Sequence, residues 1–464
     1  MNKHAQLLAI TLAGVLAACS STELPELPAS DVPETWAFDA TAAEQAWPAT
    51  DWWSTFENPE LSETIEQVQL TNLDLQINQR NLRSAQISLE EAGFDLLPTP
   101  VIELGSSPSY RDSRIDGESL RSTSNSPISL GASASYNNIL SKPASYEQAV
   151  ANYDSDVARA ADVALNTLAT TASSYFQLLL TRDKITSTQQ NVTNAQAIYE
   201  IAQARVDAGV AIPIEALQQQ IALERERLNL QSFEQDDLAI RSALALLTGQ
   251  SVQDFTLSGQ SLDEVAVPTI TPGLPSELLN RRPDLVQAEA SLRSTRASVD
   301  LLKTALFPQI SLNAGSSASS SSLSELLSSP DSLLTVNASL VQLLLDNGQR
   351  GRDIDQAQLT LENSLDSYRS TVISAFNDVD VLLNNLQLLA AQTDVALQNL
   401  ESAEESFRIA QTRYEEGVAD FQTVLTSQNT LFDTRNSYLD RKQAQLNATV
   451  ALFQALGGGW QMPQ

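Results

Sequence analysis

Histidine and cysteine are almost missing: the 464 residues hold one of each, His4 and Cys19. His4 falls in a leader-like segment, so the mature chain is expected to carry no histidine and no free thiol. That removes histidine acid-base catalysis, cysteine nucleophiles and His/Cys metal sites. Basic residues are scarce too, with 27 Lys and Arg against 57 Asp and Glu and a formal charge of −30. Nucleic-acid binding needs a basic footprint, and none is present. Neither G-x-x-x-x-G-K-[ST] nor G-x-G-x-x-G occurs, which leaves nucleotide use unsupported. Carboxylate pairs are the remaining catalytic candidates, but the acidic residues scatter along helix faces as a solvated surface does. The expectation is no enzyme, no cofactor and no metal.

Glycine and proline are absent from two stretches of more than sixty residues, Ala144 to Ala208 and Arg352 to Glu416. These two residue types interrupt helices most readily. An uninterrupted helix of that size would run roughly 95 Å at 1.5 Å per residue. Globular helices are a few turns long, so such an element belongs to a coiled coil, a membrane element or a stalk. Both stretches end in one motif, Arg205-Val206-Asp207-Ala208-Gly209-Val210 and Arg413-Tyr414-Glu415-Glu416-Gly417-Val418. Arg205 to Arg413 is a step of 208 positions, and Gly249 to Gly457, where the returning segments close, is the same step. Self-similarity at this period indicates a duplicated domain and not a short solenoid repeat.

What fills the second stretch is a heptad seam. Leu361, Leu365, Tyr368, Val372, Ala375, Val379, Leu382, Leu386, Leu389, Thr393, Ala396, Leu400, Ala403, Phe407, Ala410 and Tyr414 alternate in steps of four and three. The expected neighbour is the segment after Gly417, from Leu425 through Leu431, Tyr438 and Leu446 to Leu456, because a short glycine turn makes helices antiparallel. A second apolar edge at Phe376, Leu383 and Leu397 predicts a further neighbour, hence a wall of helices; a plain two-stranded stalk is the simpler alternative.

Period-two alternation marks four segments: Ile128 to Ser135, Ile310 to Ala314, Leu334 to Leu340 and, more weakly, Ile102 to Leu104. Apolar residues on one face and small polar ones on the other fit a membrane β-barrel strand, or a half-buried sheet of a soluble domain. The segments come in two pairs, each before a long helix and each joined by a polar, Ser-rich loop, Ser106 to Ser126 and Ser316 to Ser329. Such loops suit the outside of an outer membrane. Four strands fall short of the eight in the smallest single-chain barrels, so closure demands several protomers.

At the N-terminus a short apolar run, Leu7 to Ala18, follows Lys3, as in a secretory signal and too short to span a bilayer. It ends in Leu16-Ala17-Ala18-Cys19, which resembles the bacterial lipobox; the resemblance implies cleavage before Cys19, lipidation of Cys19 and, with Ser20 next, sorting to the outer membrane.

Together, the lipobox, the run Gly273-Leu274-Pro275-Ser276-Glu277-Leu278-Leu279-Asn280-Arg281-Arg282-Pro283-Asp284, the two R-x-x-x-G-V turns and the terminal Ala455-Leu456-Gly457-Gly458-Gly459-Trp460 resemble the TolC-like outer membrane factors, in their lipoprotein branch. The resemblance covers Trp52 to Trp460. It implies an α+β membrane protein: a trimeric 12-stranded β-barrel with four strands per protomer, continued by a long periplasmic α-helical barrel. It implies a homotrimer working with a periplasmic adaptor and an inner-membrane transporter of the resistance-nodulation-division type, as the passive exit duct of a tripartite efflux pump. The expected divisions are 1–18 signal peptide, 19–58 lipid-anchored segment, 59–259 and 260–460 as the two repeats, and 461–464 as a tail.

Residue by residue, the resemblance places adaptor docking at Gly209, Val210, Gly417 and Val418, although Gly at either turn also serves simply to permit a left-handed helix end. Tyr414 matches the gate tyrosine. The acidic ring positions fall on Thr423 and Thr426 instead, leaving Asp420, Glu415 and Glu416 as the nearest charges. Tyr136-Asn137-Asn138 likewise departs from the Trp and Asp of many relatives. Arg281, Arg282, Pro283 and Asp284 read as a structural signature, with Pro283 at a helix start and Asp284 in its first turn. Two rival functions share parts of the pattern: the exit duct of a protein-secretion or metal-efflux system, and a periplasmic coiled-coil scaffold or adaptor.

Overall fold

The computed structural model describes residues 33, 35–37, 47–106, 110–115, 118–123, 128–258, 261–270, 273, 275–320, 323–328, 331–416, 418–419 and 421–462. In chain order these form α1 (Pro59–Thr71), α2 (Leu73–Phe94), β1 (Thr99–Ser106), β2 (Tyr110–Ile115), β3 (Glu118–Thr123), β4 (Ile128–Tyr136), α3 (Lys142–Asp207), α4 (Pro213–Leu247), α5 (Pro283–Thr304), β5 (Gln309–Ser320), α6 (Leu323–Ser328), β6 (Asp331–Val341), α7 (Gln349–Glu415) and α8 (Phe421–Ala455). The chain divides into a strand-bearing unit on 82–156 and 288–368 and a helical unit on 28–81, 157–287 and 369–464.

Both long helices begin slightly before the Gly- and Pro-free stretches. Pro143 sits in the first turn of α3 and Gly351 in the first turn of α7. A first-turn N–H has no intrahelical partner, so proline there costs little.

In the strand unit, β1, β4, β5 and β6 form one antiparallel sheet in that order. Pairing across it sorts most side chains by face. Pro100, Ala134, Ala314 and Val336 make one row, and Ile102, Ala132, Ser316 and Leu334 the next. The opposite face carries Thr99, Ser135, Asn313 and Asn337, then Val101, Ser133, Gly315 and Thr335. Directly paired residues share a face, so one side is apolar and the other is mostly hydroxyl and amide, with Val101, Leu333 and Val341 as its apolar members.

Two expectations need correction. The segment after Ser106 is not only a loop, since β2 and β3 pair in it as a hairpin, Tyr110 opposite Thr123 through Ile115 opposite Glu118. The segment from Ser316 is not a loop at its start: β5 runs on to Ser320, pairing with Ile128 to Ala132, and α6 follows. Serine does not end a strand when its backbone has partners on both sides, and β4 and β6 offer those.

The helical unit has a dense core. Trp52, Phe56, Leu61 and Ile65 from the N-terminal part meet Ala172, Tyr175, Phe176 and Leu179 of α3 and Leu446, Val450 and Phe453 of α8. Trp52 stacks on Phe453 at 5.3 Å and Phe56 lies 5.1 Å from Phe176. Asn58 starts α1 by accepting the Leu61 N–H at 2.8 Å, ahead of Pro59.

The heptad seam of α7 is buried as its spacing predicts. Val372, Ala375, Val379, Thr393, Ala396, Leu400, Ala403 and Ala410 are buried and Leu382, Leu386, Leu389 and Phe407 half-buried. Arg441 on α8 donates to Gln392 at 3.0 Å and Arg435 pairs with Glu404 at 3.6 Å, which fixes α8 antiparallel to α7. α3 takes α4 as a neighbour through Arg227 to Gln196 at 2.9 Å, and α8 through Lys184 to Asp440 at 2.6 Å. A plain two-stranded stalk is therefore set aside. On the second edge, Phe376 and Leu383 are buried, Phe376 beneath Trp36, whereas Leu397 is exposed.

Candidate functional site

The first turn is built by one backbone arrangement. Gly209 adopts φ 71°, the Gly209 N–H donates to the Val206 carbonyl at 2.9 Å, and the Val210 and Ala211 N–H groups both donate to the Arg205 carbonyl, at 3.0 and 3.2 Å. This left-handed closure satisfies carbonyls that the helix end would otherwise leave open. Extended Ile212 and Pro213 then start α4. The second turn repeats the bonds, with Val418 and Ala419 donating to the Arg413 carbonyl at 2.9 and 3.1 Å.

At its tip each turn exposes a valine, beside exposed Arg205 and Asp207 in the first and Arg413 and Glu416 in the second. Val210 is 69% exposed and Val418 63%. A Cβ built on Gly209 would meet nothing within 4 Å, so the glycine is needed for its φ and not for room. Gly417 and Asp420 lie outside the described residues, as does the Tyr414 side chain, whose backbone belongs to the last turn of α7. Thr423 and Thr426, one helical turn apart on α8, are exposed, and the Thr426 hydroxyl donates to the Gln422 carbonyl at 2.9 Å.

The Arg-Arg-Pro-Asp run is a fastening. Arg282 grips Asp284 with two bonds, 2.9 Å from Nε and 2.7 Å from Nη2, and lies 3.6 Å from Asp378. Burial opposes its charge, but the bonds to Asp284 and the neighbouring Asp378 outweigh it and raise its pKa. Burial, and then the Asp284 charge, push Asp162 up in turn. Pro283 is the buried first residue of α5, and the Arg281 guanidinium lies over the Trp47 ring at 4.8 Å. One contact was invisible in sequence: a Cβ on Gly457, at φ 84°, would stand 2.1 Å from the Arg281 carbonyl oxygen. The two signatures thus close on each other and tie the start of α5 to the end of α8.

No helix among the described residues is long and apolar enough to cross a membrane, and no cluster of three or more metal-ligating side chains occurs among them. Cys19 lies outside the described residues.

Residues 64–250 and 274–458 match the sequence profile of the outer membrane efflux protein family, one segment on each long helical hairpin. The chain belongs to the outer membrane efflux protein family. Its relatives include the pyoverdine export outer membrane protein OpmQ of Pseudomonas aeruginosa, 32% identical with 96% of this chain and 95% of that one aligned. The OpmQ of Pseudomonas putida is 30% identical, with 99% and 98% aligned. In fold it is similar to the open state of the Neisseria gonorrhoeae MtrE outer membrane channel, with a TM-score of 0.84 at 23% identity over 95% of this chain and 98% of that one. As a member of this efflux family, the protein is an outer-membrane channel component.

Proposed function

We propose that three copies of this chain close a 12-stranded barrel in the outer membrane and serve as the passive exit duct of a tripartite pump for small molecules. The observation that carries this is the sheet. Its apolar rows are open on one side, its opposite face is polar, and β1 and β6 pair on one side only among the described residues. In water such a sheet would bind further strands or aggregate; closed with two copies in lipid it has no edge, an apolar exterior and a polar lumen.

Cys19 would carry the lipid anchor of segment 19–58 once residues 1–18 are removed, leaving 59–259 and 260–460 as the two repeats. The turns at Gly209, Val210, Gly417 and Val418 would receive the periplasmic adaptor, and Tyr414, Asp420, Thr423 and Thr426 would line the resting constriction. The duct hydrolyses nothing and needs no cofactor; the inner-membrane transporter supplies the energy. The relatives named for pyoverdine export favour small-molecule cargo over protein secretion. The acidic composition favours cations where carboxylates face the lumen.

Conductance of the native protein in a planar bilayer tests the gate. Tyr414→Ala is expected to raise single-channel conductance, and an unchanged value removes Tyr414 from the constriction. Co-purification with the adaptor tests the docking assignment: Gly417→Trp should abolish it while leaving assembly intact, and retained binding would sink it.

A further inference from the structure

The sharpest unpartnered apolar feature outside the sheet faces follows β6. Leu343, Leu344 and Leu345 are 60%, 83% and 90% exposed in the single chain, three consecutive apolar side chains turned largely away from it. At the corresponding point after β4 the chain has Asn137 and Asn138 instead. The leucines lie at the end of the sheet where all four strands join their helices, an end that also exposes Phe94, Leu97 and Leu306.

Part of the backbone at this end of the sheet is already partnered within the protein. A backbone carbonyl entering lipid needs a partner within the protein. Arg350 donates to the Leu343 carbonyl at 2.5 Å and to the Ala305 carbonyl at 2.9 Å, and Gln342 donates to the Leu306 carbonyl at 3.2 Å. Asp346 fixes the guanidinium at 2.6 Å and accepts the Gly348 and Arg350 N–H groups. Those bonds from Arg350 hold Asp346 down to about 2, so the pair stays charged at the loop's base. Exposed leucines above a neutralised ion pair match the boundary between acyl chains and head groups, where apolar side chains sink and charged ones stay at the water side.

We infer that Leu343-Leu344-Leu345 is a membrane-inserting loop that enters the acyl edge of the phospholipid leaflet on the helix side of the barrel. The surface continues the lipid-facing rows of the sheet, since Leu340 and its cross-strand partner Ile310 lead directly to it. It therefore rests on the barrel reading. Three copies would place three such loops around the channel, alternating with the polar Asn137-Asn138 junctions.

The experiment uses the full chain in phosphatidylethanolamine and phosphatidylglycerol vesicles. A fluorophore is attached to Leu344→Cys, Val336→Cys on the apolar sheet face, or Asn337→Cys on the polar face, with the unsubstituted protein as labelling background. The expected result is blue-shifted emission at Leu344→Cys, quenched by lipids spin-labelled near the head group, with Val336→Cys quenched by lipids spin-labelled deep in the acyl chain and Asn337→Cys spared by both. Quenching at Val336→Cys without quenching at Leu344→Cys overturns the insertion alone, and a blue shift without quenching would assign the loop to a neighbouring copy. No quenching at Val336→Cys overturns the barrel reading itself, and the insertion with it.

Discussion

Val336 in the strand unit and Val372 in the helical unit are the same residue type, placed by equally regular spacing, yet Val336 is 76% exposed and Val372 is 0% exposed. In the helical unit the heptad seam of α7 has a protein partner, since α7 lies along α8, and α3 lies along both α4 and α8. In the strand unit the rows through Ile102, Leu334 and Val336 have none. Apolar patterning therefore states that a face must leave water, but not what will cover it. Protein covers the helix seam, while a bilayer is the cover that suits a sheet with a polar reverse and two open edges.

The largest effect is expected from a charge placed on each face of one strand. Val336→Arg should prevent assembly in the outer membrane, at about 2–4 kcal/mol per copy near the bilayer midplane. Asn337→Arg, on the next residue and the other face, should assemble normally. Membrane fractionation with gels run on unheated samples checks both, and equal defects would mean that the faces do not see different media.

A smaller effect separates the two kinds of glycine. Gly457→Ala adds a Cβ into the Arg281 carbonyl and strains a left-handed backbone, so a loss beyond the ~1 kcal/mol of the conformational term alone is expected. Gly209→Ala meets open space and should cost only about that conformational term. Thermal unfolding of the two variants measures the gap, and equal losses would dissolve the distinction between a packed closure and an exposed turn.

The smallest expected effect is on alkaline stability. Burial, then the Asp263 charge, push Tyr438 in the helical unit up to about 12. A raised tyrosine pKa favours the folded state fully below the ordinary value near 10, and that contribution is lost as pH rises from there through about 12. Unfolding of the wild type should therefore become easier across that window, and Tyr438→Phe should flatten the slope. An identical slope in both would place the alkaline sensitivity elsewhere.

Much of this architecture could be read before the structure. The two Gly- and Pro-free stretches and the seam from Leu361 to Ala410 gave the helices, because helix periodicity accumulates over many turns. Alternation marks β1, β4, β5 and β6 but ends β5 at Ala314, because Ser316, Ser317 and Ser319 look like loop until the β4 register places Ala318 on the apolar side. The β2–β3 hairpin does not stand out by alternation, since Tyr110 to Ile115 is not an apolar-alternating run, although Asp116-Gly117 is a two-residue hairpin signal. At the candidate sites, the R-x-x-x-G-V closure was legible as a helix end because its bonds are local. The contact between Gly457 and Arg281 was not, because residues so far apart in sequence meet only through the packing of α5 against the end of α8.

On this reading the open sheet is one third of a closed barrel. Native mass spectrometry of the protein released from its detergent micelle tests it most directly. A single species at three times the mass of one lipidated chain is predicted. A stable monomer, soluble without detergent, would contradict it.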